Sequence, residues 1–119
     1  PAAMRFLCLV IVDPARFEGL TAADHQAITA DSLAYDDELK ARGILVAAHA
    51  LGEPQTATTI RARGDETFYT DGPFAELKEH VGGFILIDVR DRDEALAVAS
   101  RIPMARYGAI EVREVRALR

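Results

Sequence analysis

Two stretches of this chain are apolar at almost every position, although hydrophobic residues make up only 50% of the sequence. The first is MRFLCLVIV, Met4 to Val12, and the second is GFILIDV, which begins at Gly83. Such runs predict strands that are covered on both faces, because a half-exposed strand would alternate apolar and polar residues. A sheet that contains them needs a cover on each side, which limits the architectures open to the chain.

A long helix is predicted in LTAADHQAITADSLAYDDELKARG. Thr21 and Asp24 stand in capping-box spacing at its start, and Gly43 stands where a helix commonly ends. The apolar residues of this segment form one stripe that would lie on a sheet: Ile28, Tyr35 and Leu39.

A second helix is predicted in DRDEALAVASRI, with Asp91 and Glu94 in the same capping-box spacing and an end before Pro103. The other β-favouring segments are two single strands and two strands joined by a Gly-Asp turn into a hairpin. In chain order these segments are ILVAAHAL, TATTIRAR, TFYT and GAIEVREV.

The order of elements predicts one α+β domain over residues 1–119, with a ferredoxin-like arrangement of two βαβ halves and an inserted β-hairpin. Two helices can cover only one face of the sheet. We therefore expect a second copy of the chain to cover the other face, which would make the protein a homodimer.

The charge balance and the cysteine content exclude several classes of protein. A net charge of −5 without a Lys/Arg cluster argues against direct binding of nucleic acid. The single cysteine, Cys8, lies in an apolar run and is expected to be a buried, inert thiol, which fits a cytoplasmic location. The first apolar run is too short to span a bilayer, so no membrane association is expected.

The stretch TDGPFAELKEHVGGF combines a turn signal with a high density of ionisable residues. Asp71, Gly72 and Pro73 are typical of a turn, because Gly72 permits backbone angles that other residues avoid. Four titratable residues follow within nine positions of Asp71: Glu76, Lys78, Glu79 and His80. Such a segment is either a solvated turn or the rim of a site.

Two histidines are candidates for chemistry. His25, Thr29, Ser32 and Asp36 share a narrow band of the first helix, and a polar band beside an apolar stripe tends to border a cleft. His25 and Asp36 are about 16 Å apart along the helix axis, too far to form a pair. His25 is therefore either a surface residue of the first turn or part of a site.

His49 lies in LVAAHAL, so it is either a hydrogen-bonded core residue or points into a cavity. In the second case His49 and Asp71 would form an acid–base pair, with Glu76, Lys78 or Glu79 at the rim. Such groups support proton transfer and hydrolytic or eliminative chemistry.

Other kinds of site have weaker support. Ser32 and Ser100 lack a nucleophile elbow, and three histidines without HxxxH or HxH spacing give no metal signature. We expect neither a metal nor a cofactor. Arg61 and Arg63 alternate on one hairpin face, where they would either bind an anion or form a solvated surface.

The segments TDGPFAELKEHVGGFILIDV, DEALAVASRIP and IEVREV resemble the YCII-related superfamily, and within it the branch of DGPF-domain proteins. The resemblance covers almost the whole chain. It implies a ferredoxin-like fold and a dimeric α/β barrel. Many proteins of this branch are companions of extracytoplasmic-function sigma factors, which implies such an association here.

Relatives in the wider superfamily are similar in fold to muconolactone isomerase, and a His/Asp pair is proposed as their active site. That pair does not transfer position by position, because His25 precedes Gly43 by a longer interval than in the shorter relatives.

We predict a ligand pocket between the first helix, the sheet and the Asp71–Glu79 segment. The catalytic candidates are Asp71, His49 and His25, and the candidates for substrate binding are Phe74, Glu76, Lys78, Glu79 and Tyr35. The function is either small-molecule binding with lyase, isomerase or hydrolase chemistry, or ligand sensing without catalysis.

Overall fold

The computed structural model describes residues 3–119 and contains six strands and two α-helices. In chain order they are β1 (Met4–Val12), α1 (Ala22–Ala41), β2 (Leu45–Ala50), β3 (Thr58–Arg63), β4 (Glu66–Asp71), β5 (His80–Val89), α2 (Arg92–Ser100) and β6 (Gly108–Glu114). Within residues 3–119, neither helix is both long and apolar enough to cross a membrane.

Four of the strands form an antiparallel sheet in the order β2-β5-β1-β6. The two apolar runs that the sequence placed in strands are β1 and β5, and they pair with each other at the centre of this sheet. The chain is therefore an α+β protein with antiparallel sheets and two helices, an arrangement compatible with the predicted ferredoxin-like fold.

The start and the end of α1 follow the predicted signals. The Thr21 hydroxyl accepts a hydrogen bond from the Asp24 N–H at 3.1 Å, and the Asp24 carboxylate accepts one from the Thr21 N–H at 2.8 Å. This reciprocal capping lowers the pKa of Asp24. Gly43 follows the helix with a φ of +72°, a conformation that costs glycine little.

The start of α2 differs in one bond from the predicted capping box. Asp91 caps the helix by accepting from the Glu94 N–H at 2.8 Å, as predicted. The Glu94 carboxylate, however, accepts from the N–H of Arg90 at 2.9 Å instead of that of Asp91. The Arg90 guanidinium also lies 3.1 Å from Glu94, so the side chain reaches one residue further back than the motif requires.

Both helices pack on the same face of the sheet. The core between the layers is made by buried apolar residues of the sheet, among them Phe6, Cys8, Ile85 and Ile87, and by residues of the helices, among them Leu39 and Val98. Burial raises the pKa of the Cys8 thiol to about 11, so the thiol is un-ionised at neutral pH, as expected of an inert cysteine.

Tyr35 connects the two helices through a buried hydrogen bond. Its hydroxyl donates to the carbonyl oxygen of Val98 at 2.7 Å, and its ring is part of the core. The Arg101 guanidinium lies 5.5 Å from the centre of the ring. Burial raises the pKa of Tyr35, so the hydroxyl remains a donor at neutral pH.

The opposite face of the sheet, called the open face below, has no helix against it in the described chain. Its half-buried centre consists of apolar side chains from β1 and β5: Leu7, Leu9, Ile11, Phe84 and Leu86. The molecule is only 18 Å across its thinnest dimension, which corresponds to one sheet and one layer of helices.

The strands β3 and β4 form a separate hairpin, called the arm below, as the sequence predicted. Its two-residue turn is Gly64 and Asp65, and Gly64 has a φ of +60°. At its base the Gly72 N–H donates to the carbonyl of Ala57 at 2.7 Å, and the Gly72 carbonyl accepts from the Thr59 hydroxyl at 2.9 Å. Gly72 thus closes the hairpin with both of its backbone groups.

Gly72 has a φ of +99°, so its replacement by alanine should strain the backbone. We expect Gly72→Ala to lower the free energy of unfolding by about 1 kcal/mol or more, measured by urea denaturation. Gly52→Ala is the control, because Gly52 has no positive φ and an added methyl group would approach only the Thr56 hydroxyl, at 3.2 Å. Equal stability of Gly72→Ala and the parent would contradict the structural role.

Tyr35→Phe should remove the bond to Val98 and keep the ring in the core. We expect the free energy of unfolding to fall by about 1 kcal/mol, the usual net contribution of a buried hydrogen bond. In the control Tyr69→Phe the lost hydroxyl belongs to a side chain that is 71% exposed, so the stability should stay within experimental error. If both variants unfold at the same urea concentration as the parent, the bond contributes nothing.

Candidate functional site

A cleft of about 400 Å³ lies between α1 and the sheet, and is called the α1 cleft below. Its helical wall carries Ile28, Ser32 and Asp36, and its floor is formed by residues of β1, β2 and β5. The segment Ile102–Met104, after α2, closes one end. The first helix and the sheet thus bound a pocket, as predicted, but residues 71–79 do not line it.

The cleft exists because α1 contacts the sheet mainly through its C-terminal half. Tyr35 and Leu39 are buried, whereas Ile28 is the one residue of positions 22–31 that is not exposed. The floor includes small residues, among them Ala48, Ala50 and Gly83, beside larger apolar ones such as Val12 and Ile85.

The Gly83 position leaves no room for a side chain on the floor. A Cβ atom there would lie 2.8 Å from the carbonyl oxygen of His49, which is closer than real Cβ contacts. Glycine is therefore required where β5 passes β2, and its missing side chain contributes to the volume of the cleft.

The polar band predicted on the first helix borders this cleft. Thr29, Ser32 and Asp36 all line it. The side-chain hydrogen bonds of α1 involve Asp24, Tyr35 and Glu38, and the three polar residues of the band take part in none of them within residues 3–119. Two hydroxyl groups and one carboxylate are therefore free to bond a molecule in the cleft.

Asp36 is the carboxylate of this site. Burial raises the pKa of Asp36 above its ordinary value, and the neighbouring Asp37 carboxylate raises it further. A half-buried carboxyl group whose proton is held more tightly than usual is suited to donate or accept a proton in a bound molecule.

His25 lies beside the cleft, on the exposed surface of the first turn of α1. Its ring stacks on Phe17, with ring centres 5.8 Å apart and planes 9° from parallel. A shallow depression next to His25 shares Thr29 and Leu33 with the α1 cleft. His25 thus has the predicted surface position, and its role in a site stays a prediction.

His49 does not occupy the helix-covered core, and the interpretation as a hydrogen-bonded core histidine is wrong. His49 pairs with Phe84 across β2 and β5, and the Phe84 side chain belongs to the open face. The two rings lie 5.7 Å apart on that face, where His49 is exposed. A β-bulge between Leu45 and Ala47 shifts the register of β2 just before this residue.

The structure does not bring His49 and Asp71 into one site. His49 borders the α1 cleft, whereas Asp71 and Glu76 line a separate surface cleft beside Pro54 and His80. No hydrogen bond joins the side chains of His49 and Asp71 in residues 3–119. The acid–base pair of His49 and Asp71 therefore stays a prediction, and no contact within the described chain supports it.

The remaining residues of the 71–79 segment lie near the open face. Phe74 and Glu79 border a groove that also contains Ile11 and Glu111. The Phe74 side chain is 78% exposed, and the Arg61 guanidinium lies 5.2 Å from the centre of its ring. Lys78 is exposed. Phe74 and Glu79 thus border a groove of about 680 Å³ that is separate from the α1 cleft.

Of the residues predicted to bind substrate, Tyr35 lines the α1 cleft. Its hydroxyl is already bonded to Val98, so it offers a ligand its ring. Thr29, Ser32 and Asp36 line the cleft as well, although the sequence did not single them out as binding residues. The sequence indicated these three residues only through their spacing on one face of the helix. The small residues of the floor lie on the sheet side of the same cleft.

Comparison with known proteins gives the chain a family but no activity. A segment of 59 residues is 48% identical to an uncharacterized protein of Rhizobium meliloti (strain 1021). That match covers 48% of this chain and 48% of the relative, so the chain matches about half of the relative's length. Residues 4–119 match the family described as the YCII-related domain. The chain therefore belongs to the YCII-related family.

Proposed function

We propose that this protein binds a small, mainly apolar molecule in the α1 cleft. The observation that carries the proposal is a cleft with an apolar lining and a few unbonded polar groups along one wall, Thr29, Ser32 and Asp36. This combination is typical of small-molecule sites, in which apolar surface supplies affinity and polar groups fix the orientation.

The acid–base chemistry predicted from the sequence is proposed for Asp36. Its raised pKa supports a role in proton transfer. The reaction types that remain proposals are those of a lyase, an isomerase or a hydrolase.

Two other proposals rest on the sequence and on the resemblance. The resemblance to the DGPF branch supports an association with an extracytoplasmic-function sigma factor, in which the protein would act as a ligand sensor. The site around Asp71, with His49 as its partner, remains the alternative place for chemistry.

We further propose that two copies of the chain pair through their open faces and form a dimeric α/β barrel. The apolar centre of the open face supports this, because a second copy would cover it. The flat area of a four-stranded sheet with strands of seven residues is about 450 Å², compared with about 800 Å² that each partner buries in a stable interface. The sheet face alone is therefore too small.

The arm and the segment after it supply the additional surface in this proposal. Phe68 and Tyr69 of the arm are 48% and 71% exposed, and Leu77 in the following segment is 72% exposed. Because the arm pairs only with itself in the described chain, its apolar side chains are available to the second copy.

The binding proposal is tested with 2-phenylethanol as a neutral probe, by following backbone amide shifts in ¹H–¹⁵N NMR spectra. We expect the shifts to cluster around the α1 cleft. Ser32→Phe should fill the cleft and abolish them, and Ala34→Phe, at an exposed position of the same helix, should retain them. Loss of binding in Asp71→Asn together with retention in Ser32→Phe would place the site at the 71–79 segment instead.

The dimer proposal is tested by light scattering at micromolar concentration. The parent should have twice the mass of the 13.0 kDa chain. Leu9→Glu places a charge at the centre of the open face and should return the mass of one chain, whereas Leu96→Glu, at a side chain on α2 that is 43% exposed, should remain dimeric. A parent protein with the mass of a single chain would refute the proposal.

A further inference from the structure

The helical wall of the α1 cleft carries a carboxylate, and His49, which also borders the cleft, has its ring on the open face. Among the cleft-lining residues within positions 3–119, Asp36 is the one carboxylate, and none is a lysine or an arginine. Asp37 follows Asp36 on the helix and adds a second negative charge close by. These carboxylates favour a positively charged group in the cleft, in a protein whose net charge is −5.

Two of the basic groups near this end of the helix are paired with another carboxylate, and Lys40, one turn after Asp36, is exposed and does not line the cleft. The Arg42 and Arg101 guanidinium groups each lie 3.3 Å from the Glu38 carboxylate. Neither residue lines the α1 cleft. The Asp36 carboxylate thus has no positive partner within residues 3–119, and a bound molecule would have to supply one.

We propose that the α1 cleft selects molecules with an apolar body and a protonated amine, and that the amine pairs with Asp36. This inference rests on the proposed binding function. The N–H donors of an ammonium group would bond the Asp36 carboxylate and the Ser32 hydroxyl oxygen, which lie one helical turn apart on the cleft wall. The apolar body would contact the small floor residues and Ile28.

The same arrangement disfavours anions. A carboxylate ligand would bring a second negative charge beside Asp36, without a lysine or arginine in the cleft lining to offset it. A neutral alcohol would keep the apolar contacts and one hydrogen bond. The expected order of affinity for one carbon skeleton is therefore amine, then alcohol, then carboxylate.

Three probes with a shared phenyl group test this order: 2-phenylethylamine, 2-phenylethanol and phenylacetate. Dissociation constants would be measured with the full chain at pH 7 by NMR titration. We expect the amine to bind about tenfold or more tightly than the alcohol, the advantage of a charge-assisted bond over a neutral one. Phenylacetate should bind more weakly than the alcohol.

Two substitutions separate the charge of Asp36 from the general acidity of the helix. Asp36→Asn should lower the affinity for the amine far more than the affinity for the alcohol, so that the preference for the amine is lost. Asp37→Asn is the matched control, since Asp37 is exposed and does not line the cleft, and it should keep most of the preference. Asp36→Ser, with a shorter neutral side chain, serves as the second variant if Asp36→Asn fails to fold.

The outcomes distinguish this inference from the proposed function. Equal affinities for the three probes in the parent would refute the amine preference and leave the binding site standing. The amine preference would also be refuted if Asp36→Asn or Asp36→Ser kept it, or if the amine changed the amide signals of residues outside the cleft. If no probe binds the parent in the α1 cleft at millimolar concentration, the proposed function fails, and the inference fails with it.

Discussion

The pairing of β1 with β5 at the centre of the sheet is the interaction on which the other elements depend. Each of these strands contributes alternate side chains to both faces, so that Phe6 and Ile87 enter the core while Leu7 and Leu86 form the open face. A slip by one residue would exchange the two sets. The helices, the α1 cleft and the open face all have their positions because this register is held by apolar side chains on both sides.

Much of the fold could be predicted because its signals are local. The capping residue Thr21, the helix-ending Gly43 and the Gly-Asp turn of the arm act within a few positions of themselves. The face of the sheet on which His49 lies could not be predicted from such local signals. The strand LVAAHAL has small or apolar residues on both faces, so its pattern gives no preference, and the bulge after Leu45 decides the orientation.

The candidate site could be predicted only in part. The band of His25, Thr29, Ser32 and Asp36 follows from helical periodicity, and its last three residues border the cleft, whereas His25 lies beside it. The depth of that cleft depends on Ala48 and Gly83, which are far from the helix in sequence and meet it only in the folded sheet. The density of ionisable residues after Asp71, in contrast, does not predict which part of the folded surface these residues occupy.

The attachment of the arm has a consequence for the dynamics of the chain. A two-stranded hairpin is only marginally stable by itself in water. The arm is tied at its base by the bonds of Gly72 to Ala57 and Thr59. Transient opening of the arm therefore breaks few contacts of the core and requires less free energy than global unfolding. Its amide protons should exchange with solvent, and its turn should become accessible to proteases, while β1 and β5 remain paired.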